Sequence, residues 1–157
     1  MPAGKTHEQI NLFFLTIYFL LTLSVGFHSL SLALVFSGGF LFGTYLCGPD
    51  LDTRSDVYRR WRGLKFIWIP YRNFFSHRSF WTHGIIIGDI IRLLYLSAWA
   101  LPFLVMANEL NEIDTFYWLS HIYQANRSEI WLFIIGIISA STSHILSDVF
   151  FSYMRKR

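Results

Sequence analysis

The chain has 157 residues, of which 54% are hydrophobic, 19% aromatic and only 15% charged, with a mean hydropathy of +0.41. Soluble domains carry about 25% charged residues, so the composition excludes a disordered chain and argues against an ordinary water-soluble globule. The net charge is +3, and the single cysteine, Cys47, excludes an intrachain disulfide and a four-thiolate zinc site.

Ile10 to Phe27 is an uncharged run of 18 residues, and Leu30 to Cys47 is a second of the same length. Each is long enough, at about 1.5 Å per residue, to approach the hydrocarbon thickness of a bilayer. The Gly26-Phe27-His28-Ser29 connection makes them an antiparallel hairpin. Gly38, Gly39 and Gly43 in the second run suit close helix packing in lipid. The first run reads as a span rather than a signal peptide, because only Lys5 precedes it and no small-residue cleavage site follows. Residues 53–76 mix Arg59, Arg60, Arg62 and Lys65 with Trp61, Phe66, Trp68 and Tyr71, as a segment in the headgroup region would. A third span is expected over 84–106, interrupted by Asp89 and Arg92. A long connection occupies 107–128, and a fourth span is expected over 130–151.

The predicted fold is therefore all-α: one membrane domain over residues 1–157, with about four transmembrane helices (10–27, 30–47, 84–106, 130–151) and an interfacial basic and aromatic connection. Trp61, Trp68, Tyr71, Tyr117 and Trp118 read as interface anchors. Four crossings put Lys5, Arg54, Arg59, Arg60, Arg62, Lys65, Arg72, Arg78, Arg155, Lys156 and Arg157 on one side and Arg127 alone on the other. That bias of 11 to 1 makes the basic side cytoplasmic, with both termini there. Arg92 can snorkel toward it. The positive charge is explained as a topology signal and calls for no nucleic acid.

Ionisable groups at membrane depth are costly and mark function. Tracing the chain through four crossings brings His7, Asp50, Asp52, His77, His83, His144 and Asp148 to one side at similar depth. His28 and His121 fall on the other and read as ordinary surface residues. His144 and Asp148 are four apart and share a helix face. Asp50 and Asp52 follow Pro49 in a non-helical loop. His77 and His83 are six apart, so at least one lies in a loop or cap. Imidazole with carboxylate suits Zn, Mn or Fe(II). Seven candidates exceed the needs of one ion, and two ions bridged by a carboxylate would use them better. The divalent metal complement is thus one or two ions. Asp52 is the candidate base, and Arg78 the candidate stabiliser of an anionic oxygen. Asp89 is expected to pair with Arg92 at i,i+3, and Cys47 to behave as a small buried hydrophobe.

The early His7, Pro49-Asp50-Leu51-Asp52, the His77-Arg78-Ser79-Phe80-Trp81-Thr82-His83 run and the late His144-x-x-x-Asp148 together resemble the membrane-bound metal-dependent hydrolases of the YdjM type. The closer likeness is to DUF2227, a family of small metal-binding bacterial and archaeal proteins. Met1 to His7 and the stretch Ser37 to Gly43 look like its cyanobacterial members, although Glu8 stands where the family commonly has Asp. The resemblance covers nearly the whole chain. It implies metal binding first and hydrolysis second, in a bacterial inner or thylakoid membrane.

The leading expectation is a membrane-embedded metal-dependent hydrolase acting on an ester or phosphoester of a lipid or other amphiphile at the cytoplasmic face. It predicts a polar cavity between the second and fourth spans, with Arg78 near its mouth. The alternative is a non-enzymatic metal-binding accessory or assembly protein of a membrane complex, its metal closed off by protein ligands. A diiron desaturase needs more histidines, and a transporter would place its ligands at the midplane.

Overall fold

The computed structural model describes residues 4–26, 29–111 and 114–155. Residues 1–3, Phe27, His28, Glu112, Ile113, Lys156 and Arg157 lie outside these. So do the centre of the expected hairpin connection and part of the basic count.

The described residues form helices and no strand: α1 (Gly4–Leu21, continued by a π-helical turn Thr22–Gly26), α2 (Leu30–Tyr45), α3 (Asp56–Arg60), α4 (Trp68–Phe74), α5 (Phe80–His83), α6 (Ile87–Asn111), α7 (Thr115–Ala125) and α8 (Arg127–Met154). Two 3-10 turns, Pro49–Asp52 and Arg62–Ile67, complete the connection between α2 and α4. Three helices are long and apolar enough to cross a membrane: the segment Leu30–Asp52 that contains α2, the α6 segment Ile87–Leu110, and α8. The first helix is not among them. It starts earlier than its apolar run, and Lys5, His7, Glu8, Gln9 and Asn11 fill its first two turns. Four spans are therefore expected but three qualify.

The seam of the molecule is α2 against α8. The buried residues of α2, Ala33, Phe36, Ser37, Gly39, Phe40, Gly43 and Thr44, recur at three- and four-residue spacing, and those of α8 include Gly136, Ala140, Ser141, Ser143 and Ser147. Small side chains let the two backbones touch. A Cβ on Gly39 would lie 2.0 Å from the Phe133 carbonyl oxygen, and one on Gly136 would lie 2.3 Å from that of Phe36. The pairing runs in register, Gly39 beside Phe133 and Gly43 beside Ile137, so α2 and α8 are parallel. Helix α1 crosses both in the opposite sense. Asn11 Nδ2 donates to Thr44 Oγ1 at 3.2 Å and to the Ala140 carbonyl at 3.3 Å, and Phe14, Leu15 and Tyr18 cover Phe36, Phe40 and Ala140.

A second core lies under the connection: Leu51, Val57, Tyr58, Trp68 and Tyr71, packed by Trp61, Ile67, Phe75, Ile91, Tyr95 and Leu96. Two expected interface anchors are thus core residues. Trp68 is 0% exposed and Tyr71 1%. The connection folds back on α6 and spends its rings on one another: Trp68 meets Tyr71 edge-on at 5.4 Å and Tyr95 at 5.5 Å. Burial pushes the Tyr71 phenol up to about 12. Tyr117 and Trp118 are exposed, as anchors would be.

The third span begins later than expected. Helix α5 ends at His83, and residues 84–86 turn before α6 starts, with Ile86 at φ 70°. Such a φ is costly for a β-branched residue, and it turns the start of α6 away from α5. Within 107–128, expected to be connection, α7 forms from an N-cap: Asp114 Oδ1 accepts from Tyr117 N at 2.8 Å.

Candidate metal centre

Four pieces of chain bring their polar residues to one end of the α2–α8 seam. Pro49 opens the 3-10 turn after α2, and Leu51 is buried in the aromatic core, which leaves Asp50 and Asp52 on the site side. His7 comes from the second turn of α1, His144 and Asp148 from one face of α8. His77 lies in the turn before α5, and His83 is its last residue.

All seven residues gather there, in two groups with Asp52 behind them. His7, His144 and Asp148 offer ligand atoms within 4.8 Å of one another, and so do Asp50, His77 and His83. Asp50 faces both groups: Oδ2 lies 3.5 Å from His144 Nε2, and Oδ1 lies 3.6 Å from His83 Nε2. His144 Nε2 is also 3.9 Å from Asp148 Oδ2, and His7 Nε2 is 3.1 Å from Asp148 Oδ1.

The hydrogen bonds select a ring nitrogen on three of the imidazoles. Ser147 donates its one hydroxyl proton to the His144 carbonyl at 2.7 Å. It can then only accept from His7 Nδ1, also at 2.7 Å, so His7 carries its proton on Nδ1. A neutral His7 therefore presents a bare Nε2 lone pair to a carboxylate 3.1 Å away, a contact that only a proton or a cation relieves. Asp52 accepts from His77 Nδ1 at 2.9 Å, which leaves His77 Nε2 bare in the same way. His83 Nδ1 lies 3.0 Å from Thr82 Oγ1, whose own proton goes to the Ser79 carbonyl. His83 Nε2 and His144 Nε2 are buried without any hydrogen-bond partner. Buried polar atoms seldom go unpaired. An unpartnered Nε2 opposite a carboxylate, with Nδ1 held by an oxygen as in His83, is the arrangement a divalent cation uses. The residues present fit a metal.

Asp52 is fully buried at its side chain. Both of its oxygens are engaged: one by His77, the other by the Arg78 backbone N–H at 3.3 Å, with His83 Nδ1 at 3.5 Å. Arg78 has a left-handed φ of 60°. Strained backbone of this kind clusters at functional sites, and here it aims the Arg78 N–H at Asp52 while Nη2 reaches Asp148 Oδ2 at 3.3 Å.

A cavity of about 480 Å³ opens beside the centre, lined by Arg78, His83, Asp148 and Ser152 with Ile145, Val149 and Tyr153. It lies between α8 and the 78–83 segment, not between the second and fourth spans as expected. The glycine seam leaves no room there, and only a space of about 20 Å³ remains near His7, Asn11, Thr44 and Asp50.

The other expected site features fall as follows. Glu8 pairs with Arg60 at 2.6 Å and belongs to neither group. Cys47 is buried and free, also outside both. His121 is exposed against Tyr117. Asp89 and Arg92 do pair, at 2.6 Å, but Arg92 does not snorkel: it is 1% exposed. Its Nη1 donates to the Thr82 carbonyl at 2.7 Å and Nη2 reaches Ser141 Oγ at 3.2 Å, while Ser141 donates to Asp89 Oδ1 at 2.7 Å. Sequence reasoning missed Ser147, Thr82 and Ser141, which orient the ligands or bind the pieces that carry them. Only the three-residue spacing of Ser147 from His144 hinted at one of them.

Comparison with known proteins agrees with a metal centre. The family described as uncharacterized metal-binding protein (DUF2227) matches residues 2–157. A protein of Aquifex aeolicus (strain VF5), described as an uncharacterized protein, is 32% identical over 133 residues, covering 77% of this chain and 92% of its own length. No solved structure matches. The chain belongs to the DUF2227 family.

Proposed function

We propose that this DUF2227 protein is a membrane-embedded hydrolase that uses two divalent ions against an ester or phosphoester of a lipid or other amphiphile. The observation that carries the reading is the cavity of about 480 Å³ that reaches the metal-binding groups themselves, with Arg78, His83 and Asp148 on its polar wall and Ile145, Val149 and Tyr153 on its apolar wall. A structural site is closed by protein, whereas a catalytic one keeps an approach open.

In this reading His7, His144 and Asp148 would hold one ion and Asp50, His77 and His83 the other. Divalent ions held there supply Lewis acidity for activating water toward an ester or phosphoester; Zn, Mn and Fe(II) all suit the donor set. The chain's own residues do the rest. Asp52 fixes the Nδ1 proton of His77 and Thr82 that of His83, so that both rings would face the ions, which makes Asp52 an orienting carboxylate before it is a base. Arg78, at the cavity wall, neutralises an anionic headgroup or a developing oxyanion. The apolar wall receives the first methylenes of an acyl chain. The likeness of the 49–52 and 77–83 motifs to the YdjM-type hydrolases supports the reaction class. The three apolar helices support placement in a membrane, and the basic bias supports the cytoplasmic face for the site.

The test is turnover. Detergent-purified protein loaded with Zn, Mn or Fe(II) should bind two ions per chain and hydrolyse at least one of a panel of p-nitrophenyl esters, phosphomonoesters and glycerophospholipids. Asp50→Asn should abolish that turnover. Two bound ions with no turnover across the panel would move the protein to the accessory class.

A further inference from the structure

A second polar cavity, of about 470 Å³, lies in the connection, and none of the seven site residues lines it. It is lined by Arg54, Tyr58, Arg59, Arg62 and Lys65. The local fold explains how the cations come together. Residues 62–67 form a 3-10 helix, in which positions three apart eclipse one another, so Arg62 and Lys65 stand side by side. Arg59 comes from the last turn of α3 and Arg54 from the loop before it. The left-handed φ of 46° at Arg62 turns the chain between the two helical pieces. Tyr58 forms the floor. It is buried in the aromatic core, and the Arg72 guanidinium lies 4.5 Å from its ring centroid. Tyr58 therefore presents a buried surface beneath exposed cations.

The charge in this cleft is not neutralised from within. Asp56 lies 3.6 Å from Arg59, but both side chains are exposed, 42% and 72%, and such pairs hold little energy. Arg54, Arg62 and Lys65 make no ion pair among the described residues. The same segment exposes Leu64 and Phe66 on either side of Lys65, and Ile69 beyond them. Cations beside exposed apolar side chains match the two layers of a lipid surface, phosphate above and acyl chain below.

We infer that this cleft is a binding site for the phosphate of an anionic phospholipid headgroup, distinct from the metal centre. A soluble phosphate compound would find the same cations but would leave Leu64, Phe66 and Ile69 uncovered. The site rests on the membrane placement proposed above and not on hydrolysis.

The experiment titrates detergent-purified, metal-loaded protein with dihexanoyl-phosphatidylglycerol, dihexanoyl-phosphatidylcholine and inorganic phosphate by calorimetry. The comparison chain carries Arg54→Gln and Lys65→Gln, neither of which is the left-handed Arg62. Phosphatidylglycerol should bind tightest and weaken with salt. The double variant should lose on the order of 30-fold in that affinity, at about one kcal/mol per cation, while keeping its metal content. Unchanged affinity in the variant would overturn the cleft. Inorganic phosphate binding as tightly as phosphatidylglycerol would overturn the lipid as the occupant. Release of the wild-type chain from cell membranes by alkaline carbonate would overturn the placement, and the lipid with it.

Discussion

The trio α1, α2 and α8 and the pair α6 and α7 are built from similar residues and packed by opposite rules. In the trio, α2 and α8 meet backbone to backbone at Gly39, Gly43 and Gly136, and α1 is held by Asn11 and by Phe14, Leu15 and Tyr18. The pair is joined to the rest at one end only, where the Asp89–Arg92–Ser141 network and Tyr95 meet α8, α5 and the aromatic core. Almost none of the α6 span is buried, and α7 has no buried residue at all. The trio supplies His7, His144 and Asp148 and leads directly into Asp50, whereas α6 supplies no ligand. Metal-binding geometry is thus entrusted to the tight half. The loose half presents apolar surface, and among its attachments is the buried Asp89–Arg92 pair that also grips the carbonyl of Thr82, beside His83.

The most damaging change to that contrast should be Gly39→Leu. A side chain there must displace the Phe133 backbone, so it should cost more than about 4 kcal/mol and leave no folded, metal-loaded protein in a gel-filtration assay. Arg92→Met comes next. It strands a buried carboxylate, so it should destabilise by about 3–5 kcal/mol in thermal unfolding, and Asp89→Asn in the same chain should recover part of the loss. If the single variant were as stable as wild type, the loose half would be anchored elsewhere.

Chelation should lower the unfolding temperature by the equivalent of about 3 kcal/mol at a hundredfold excess of ion over its dissociation constant. His144→Ala should remove most of that metal dependence. Acid should act in the same direction. Protons compete with metal for the imidazole nitrogens, so bound metal should fall as pH is lowered, read by equilibrium dialysis. At the far end of the scale stands Gly63→Ala. A Cβ there meets nothing within 4 Å, and the melting curve should shift by no more than about 0.5 kcal/mol.

The centre was largely legible because histidines and aspartates stand out in an apolar chain, and counting crossings is enough to sort them by side. The grouping around Asp50 was not, because it depends on which ring nitrogen each neighbour occupies. Ser147 and Thr82 look like any other hydroxyls in the sequence. The aromatic connection defeated composition for a related reason. A ring that anchors at an interface and a ring that fills a core are the same residue, and only the fold-back onto α6 decides that Trp68 and Tyr71 are core. Helix α7 did carry local signals, the capping Asp114 before Thr115-Phe116-Tyr117 and an apolar stripe of Phe116, Leu119, Ile122 and Tyr123 at helical spacing, both hidden by taking 107–128 as plain connection. The glycines of α2 spoke for close packing but not for its partner. That partner, α8, closed the very gap in which a cavity was expected.

The parallel run of α2 and α8 sets a timetable for synthesis. Two parallel helices cannot be joined by a short turn, so the chain must travel out along α6 and back before the seam can close. The His7–Ser147 hydrogen bond spans 140 residues, nearly the full length of the polypeptide. Early helices leave the ribosome holding one imidazole and one aspartate pair, too few to retain an ion. The last helix brings His144 and Asp148 together with the glycine face that locks α2. Capture of an ion by His7, His144 and Asp148 therefore waits for α8, whereas Asp50, His77 and His83 are all synthesised before it.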